Sequence, residues 1–178
     1  MIFISAGHYP SAPGAKHERF IEHDEAVVWA DKIVELLDGS IRVPTGVLRT
    51  KVDFINERIM NGDVAIEIHF NAALDGEGNH VGRGCESLYY PGSDKGEALA
   101  LSCQAALSKT YSPDRGAKEG WYRMDRSRGA DFFLAKTRCV AVIIEPEFVH
   151  RSDLITDNRK QAITNLVEML KEFENGGG

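Results

Sequence analysis

Apolar positions along this chain follow two periods. Short β-rich runs recur at residues 2–5, 41–44, 64–70, 84–90 and 139–145, and most segments between them carry helical spacing. After Glu22, the residues Ala26, Trp29, Ala30, Ile33 and Leu37 form one helix stripe, with Gly39 as its stop. A second helix is expected over about 51–61, with Phe54, Ile55 and Ile59 inward and Asn61-Gly62 as C-cap. Ala98, Leu101, Ala105 and Leu107 mark a third helix between Ser93 and Lys109. A last helix over 156–173 presents Ile163, Leu166, Val167, Leu170 and Phe173 on one face. This alternation predicts one α/β domain, a mixed, mostly parallel twisted sheet of about six strands flanked by helices on both faces. Residues 111–131 lose the periodicity and read as a long surface loop rich in Gly and charge. The domain is expected to span 1–174, and Asn175-Gly176-Gly177-Gly178 reads as a Gly-rich tail or the start of a linker.

Composition narrows the functional classes. With 178 residues and 43% hydrophobic content, the chain is long enough to build one core. A net charge of -6, from 21 basic and 27 acidic residues, gives no cationic field for a phosphate backbone, so nucleic acid is not expected as a partner. Cys85, Cys103 and Cys139 are odd in number and far apart, which suits buried thiols better than disulfides or paired zinc spacing. No apolar run approaches the ~18 residues of a membrane span, so no membrane insertion is expected. The first residues lack the basic and apolar regions of a signal peptide. The expectation is synthesis in the cytoplasm followed by release, or secretion if a leader has been removed.

Three β-runs end on residues able to bind a metal or move a proton: His8 after FISAG, His69 in VAIEIHFNA and Glu145 in VAVIIEPEF. Ligands of open α/β sheets gather outside the carboxyl ends of the strands, so three parallel neighbours would bring these side chains together. Glu22 lies four residues before Ala26 and extends the buried stripe by one turn. Glu25 is its rival, one position from the centre line of the stripe. Two imidazoles and one carboxylate form a zinc set for hydrolysis, with an open fourth position and a separate Glu as base. Taken singly, each histidine is equally a hydrogen-bonded strand-end residue, and the residues alone leave both readings open.

The order Gly7-His8, Ala12-Pro13-Gly14-Ala15, Glu22 before a helix, IHFNA at 68–72, GCESLYY at 84–90, RGAK at 115–118 and IIEPEF at 143–148 resembles a known family. It is similar, over essentially the whole chain, to the zinc-dependent N-acetylmuramoyl-L-alanine amidases of the amidase-3 family, which include phage endolysin domains. The resemblance implies one Zn2+ held by His8, Glu22 and His69, with Glu145 as catalytic acid/base. It implies peptidoglycan as substrate, cut between the lactyl group of N-acetylmuramic acid and the L-alanine of the stem peptide. The family's helix-borne Glu precedes its apolar run by eight residues, which selects Glu22 over Glu25.

Four residues depart from the family pattern: Tyr9, Pro10, Glu67 and Glu147. Glu67 lies two residues before His69 on the same strand face, where it would either hold that imidazole or reach solvent. Asn71, Arg115 and Trp121 are candidates for the substrate cleft. The loop carrying Arg115, Lys118, Arg123, Arg126 and Arg128 beside Trp121 and Tyr122 is a candidate grip for stem-peptide carboxylates and sugar. Because an acidic domain has no electrostatic hold on an anionic wall, a wall-binding domain beyond the C-terminus is expected. The competing readings are a zinc amidohydrolase or carboxypeptidase of a small substrate, and a wall-binding relative without catalysis. The first is weakened by Ser11, which stands where an HxxE ligand pair would need Glu.

Overall fold

Every predicted β-run supplies a strand of one sheet in the computed structural model, which describes residues 1–122 and 125–176. These are β1 (Ile2–Ala6), β4 (Ile41–Arg42), β5 (Val64–Ile68), β8 (Cys85–Tyr89) and β10 (Val140–Glu145), and β9 (Asp114–Glu119) completes the sheet. The order is β4-β1-β5-β10-β8-β9. β4, β1, β5 and β10 run parallel, β8 is antiparallel to β10, and β9 is parallel to β8. The sheet is therefore mixed and mostly parallel, as the pattern predicts. β1 and β5 are buried at all five positions, and their Ile, Val, Phe and Ala content, interrupted only by Ser5 and Glu67, suits a sheet covered on both faces.

Alternation along the strands feeds two apolar layers. Ile2, Ile4, Ile66, Ile68, Val142 and Ile144 pack against α1 (Glu22–Leu36), α3 (Asp94–Ser108) and α5 (Ser152–Gly176). Phe3, Ala65, Ala141 and Ile143 face α2 (Leu48–Asn56) and α4 (Phe132–Lys136). Trp29 of α1 is fully enclosed, with its ring edge-on to Phe70 at 5.8 Å. Two small hairpins, β2 (Lys16–His17) with β3 (Phe20–Ile21) and β6 (Ala73–Leu74) with β7 (His80–Val81), lie outside the sheet. All three cysteines are free, and burial pushes the Cys103 thiol up to about 12.

Several boundaries differ from the pattern. α2 starts at Leu48 and stops at Asn56, so Asn61-Gly62 is not its C-cap. The residues after it are drawn into the approach to β5, where the Asp63 carboxylate accepts from the Met60 amide at 2.8 Å and the N-terminal ammonium at 2.7 Å. The expected loop 111–131 contains β9 and ends at α4. β9 is a half-exposed edge strand without alternating burial, and its hydrogen bonds to β8 organise it. α4 is only five residues long and is capped by Asp131, whose carboxylate accepts from the Phe133 amide at 2.8 Å. α5 begins at Ser152, with Ile155 extending its buried stripe toward the N-terminus, and it runs to Gly176. Gly177, Gly178 and Arg123 lie outside the described residues.

Candidate metal centre

Parallel register brings the carboxyl ends of β1, β5 and β10 side by side: Ala6 pairs with Ile68, and Ile144 with the same residue from the other flank. His8 follows β1 in a left-handed turn (φ 57), with Ala12 donating from its amide to the Tyr9 carbonyl at 2.9 Å. Tyr9-Pro10 thus forms the turn itself. His69 is the first residue after β5, and its amide donates to the Ile144 carbonyl at 2.9 Å.

Glu22 is the first residue of α1 and only 4% exposed. Its Oε2 accepts from the Ala15 amide at 2.8 Å and stands 3.0 Å from His8 Nε2. Its Oε1 accepts from the Phe70 amide at 3.1 Å and stands 2.9 Å from His69 Nδ1. One nitrogen of each imidazole and one oxygen of Glu22 lie within 4.8 Å of one another. Burial opposes the Glu22 charge, yet the His69 and His8 contacts hold its carboxyl well below the usual carboxylate range. Burial likewise opposes charge on His69, and Glu22 and Glu67 outweigh it, so the imidazole is held well above its ordinary value.

Two glycines clear the volume around this set. A Cβ on Gly7 would stand 2.6 Å from the His69 ring, and one on Gly14 would stand 2.3 Å from Glu22 Oε2 and 2.4 Å from His8. Gly14 also has φ +78, a conformation that side chains disfavour. The donor set, two imidazoles and a carboxylate around cleared space, fits a borderline-soft divalent ion with a vacant fourth position. Glu25, the rival carboxylate, is committed elsewhere: its oxygens pair with Arg159 at 2.6 and 2.7 Å, and Oε1 accepts from Trp29 Nε1 at 3.0 Å.

Glu67 does not reach solvent. It is 2% exposed, its Oε2 lies 3.3 Å from His69 Nε2, and its Oε1 accepts from Ser5 Oγ at 3.0 Å and Lys51 Nζ at 3.2 Å. Lys51 Nζ also donates to the Ala6 carbonyl. The imidazole of His69 is thus fixed at one nitrogen by Glu67 and presents the other toward Glu22, the arrangement by which a buried carboxylate sets ring orientation. Lys51→Met would leave buried Glu67 without its lysine partner, and the expected cost is about 3–5 kcal/mol. Urea unfolding of the chelated protein measures it, and a change within ~0.5 kcal/mol would refute the pairing.

Glu145 closes β10 and stands in register with Glu86 of β8. Burial, the charge of Glu86 and that of Glu22 push its carboxyl up to about 8. Glu86 is itself held by Lys118 Nζ at 2.6 Å, Arg115 Nη2 at 2.8 Å and Asn71 Nδ2 at 2.5 Å. Asn71 and Arg115 therefore meet beside Glu145, with the Arg115 guanidinium 4.7 Å from the Phe148 ring centroid. Glu147 is fully buried, its Oε1 accepting from the amides of Gly84 at 2.7 Å and Phe148 at 2.9 Å. It braces two segments of the cleft rather than facing it.

Trp121 stands apart from this convergence. It follows β9, which runs antiparallel to β10, and its indole donates to Glu119 Oε2 at 3.2 Å while Arg126 approaches its ring at 5.6 Å. Sequence reasoning missed three supports. His23 Nδ1 lies 2.8 Å from the Gly7 carbonyl and fixes the approach to His8. Its place three residues before Ala26 puts it on the buried stripe, a signal available in the sequence. Lys51 carries the same signal, three residues after Leu48 and four before Ile55. Glu86 was visible only inside the GCESLYY motif.

The Amidase_3 family, described as N-acetylmuramoyl-L-alanine amidase, matches residues 2–168. No curated protein matches. Among solved structures, an N-acetylmuramoyl-L-alanine amidase from Clostridium difficile 630 is 19% identical with a TM-score of 0.82, covering 99% of this chain and 97% of that one. The CwlD amidase of Clostridioides difficile, solved in complex with the GerS lipoprotein, is 18% identical with a TM-score of 0.79 and covers 98% of each chain. The catalytic domain of CD27L, an endolysin targeting Clostridia difficile, is 22% identical with a TM-score of 0.73 and covers 96% of each.

Proposed function

The chain belongs to the Amidase_3 family of N-acetylmuramoyl-L-alanine amidases, and from that membership we propose that His8, Glu22 and His69 hold a catalytic zinc ion while Glu145 moves the proton. As a member of that family it is a peptidoglycan amidase. The observation that carries the site assignment is the convergence of three ligand atoms within 4.8 Å beside the end of β10. When bound, zinc supplies Lewis-acid polarisation of the scissile carbonyl and acidification of water.

The chain's own groups do the rest. Glu145 takes one proton from the attacking water as its oxygen bonds to the lactyl carbonyl carbon. As the C–N bond breaks, Glu145 passes that proton to the departing nitrogen of L-alanine, leaving a carboxylic acid and a free amine. A carboxyl raised toward neutrality can both accept and return a proton with little driving force against either step. Glu67 keeps the His69 ring from turning, and Arg115 and Lys118 hold Glu86 against Glu145.

Product chemistry tests the assignment of the bond. Mass spectrometry of digested cell wall should find new amino termini on L-alanine and no new reducing sugar ends. Reducing ends without free L-alanine would make the protein a glycosidase.

The proton-transfer role also predicts a pH shift. Activity needs the charged form of Glu145, so it falls as pH drops through that group's pKa. Glu86 raises this pKa by charge and hydrogen bonding, so Glu86→Gln should move the acidic limb of kcat/KM to lower pH. A limb that stays in place would separate Glu145 from the titration that controls the rate.

A further inference from the structure

Three of the six histidines have no part in the site above or its supports, and the fold gathers them. His17 on β2, His80 on β7 and His150 after β10 come from segments far apart in the chain. The His17 and His80 ring centroids are 4.6 Å apart, those of His80 and His150 5.7 Å, and those of His17 and His150 6.2 Å. All three residues are half-buried. Each has its Nδ1 shielded from solvent with no hydrogen-bond partner. A buried imidazole nitrogen left unbonded is costly, and three facing one another call for an explanation.

The spacing supplies one. Imidazoles bound to a common tetrahedral zinc, with Zn–N near 2.0–2.1 Å, have their centroids about 5 Å apart. The candidate catalytic pair, His8 and His69, gives an internal reference at 4.8 Å and 73°. His17 and His80 reproduce it at 4.6 Å and 82°. We propose that His17, His80 and His150 form a second transition-metal site, a three-histidine set that takes Zn2+ or a similar borderline ion with water in the fourth position.

Charge around the cluster favours this use. Burial and the neighbouring His80, His17 and Arg151 lower the His150 pKa, which keeps that ring neutral and its lone pair available near neutral pH. Among the described residues only His8, Glu22 and His69 already bring ligand atoms within 4.8 Å, so the second set closes by rotation of its rings on binding. The ion would be structural. β2 follows directly on Gly14 and Ala15, which touch Glu22, and His150 follows Phe148, whose ring packs under Gly82 next to β7. One ion would tie together three short segments on the same flank of the cleft.

Zinc titration of the chelated full chain, followed calorimetrically, tests the proposal. The expected stoichiometry is two ions per chain, falling to one in His80→Gln and also to one in His150→Gln. His69→Ala should lose the other ion and keep this one, so failure of the catalytic assignment and of this one are told apart. In the His69→Ala background zinc should still raise Tm, and adding His80→Gln should abolish that rise. One ion in the unsubstituted chain that survives both His80→Gln and His150→Gln, or a zinc-induced Tm rise indifferent to His80, would overturn the second site.

Discussion

Replacing Glu145 by Gln is expected to slow hydrolysis of peptidoglycan by about 10²–10⁴-fold, the contribution typical of a positioned general acid/base. Zinc content should not change, because Glu145 lies outside the His8–Glu22–His69 set. The same substitution should raise the stability of the chelated protein. The folded-state pKa, about 8, lies above the ordinary carboxylate value of 4.5. A raised carboxyl pKa means that the folded state prefers the protonated form, so the charge destabilises the fold above pH 4.5 and most fully above pH 8. Glu145→Gln removes that penalty. Its Tm should exceed that of the unsubstituted protein at pH 8 and match it near pH 4, with each kcal/mol relieved worth about 2–4 °C. A slow enzyme with unchanged Tm at both pH values would place Glu145 in solvent rather than in the cleft.

Glu22→Gln should do the opposite to stability and more to the metal. Losing a charged ligand should weaken zinc binding by more than about 100-fold, the upper end for losing a mere outer-shell partner, and activity at limiting zinc should fall with it. In the chelated protein Glu22 is a carboxylate with a depressed pKa. Its contribution is present above pH 4.5 and disappears as the pH falls through the folded-state value. Glu22→Gln should therefore lower Tm at pH 7 and have progressively less effect in acid. Chelator competition and thermal melts of the two variants side by side check both signs, and a Glu22→Gln variant with unaltered zinc affinity would remove this residue from the ligand set.

What the sequence made legible follows from where each residue sits in a repeating pattern. His8, His69 and Glu145 are each the end of an apolar run, and runs buried on both faces become adjacent parallel strands, so their convergence could be read in advance. Glu22 was legible because its carboxylate continues the stripe of α1. Glu67 was ambiguous because a strand residue two before His69 shares its face whether or not the surface there is covered. Lys51, arriving from α2, decides that it is covered. β9 was illegible for a different reason: an edge strand is held by the backbone of its neighbour, and Asp114 to Glu119 carry no apolar alternation. Trp121 carried a composition suited to substrate stacking, but the direction of β9 takes it to the opposite end of the sheet from Glu145. The His17, His80 and His150 cluster had no local signature, since its members meet only through the two small hairpins and the segment after β10.

Hydrolysis by this amidase is proposed to depend on a zinc ion held by His8, Glu22 and His69. Its most direct test is digestion of purified peptidoglycan by protein stripped with a chelator, before and after zinc is returned, with L-alanine amino termini counted by mass spectrometry. No release is expected from the stripped protein, with restored release after zinc addition and no restoration in Glu22→Gln at the same zinc concentration. Full release from the stripped protein, or restoration in Glu22→Gln equal to that of the unsubstituted chain, would contradict it.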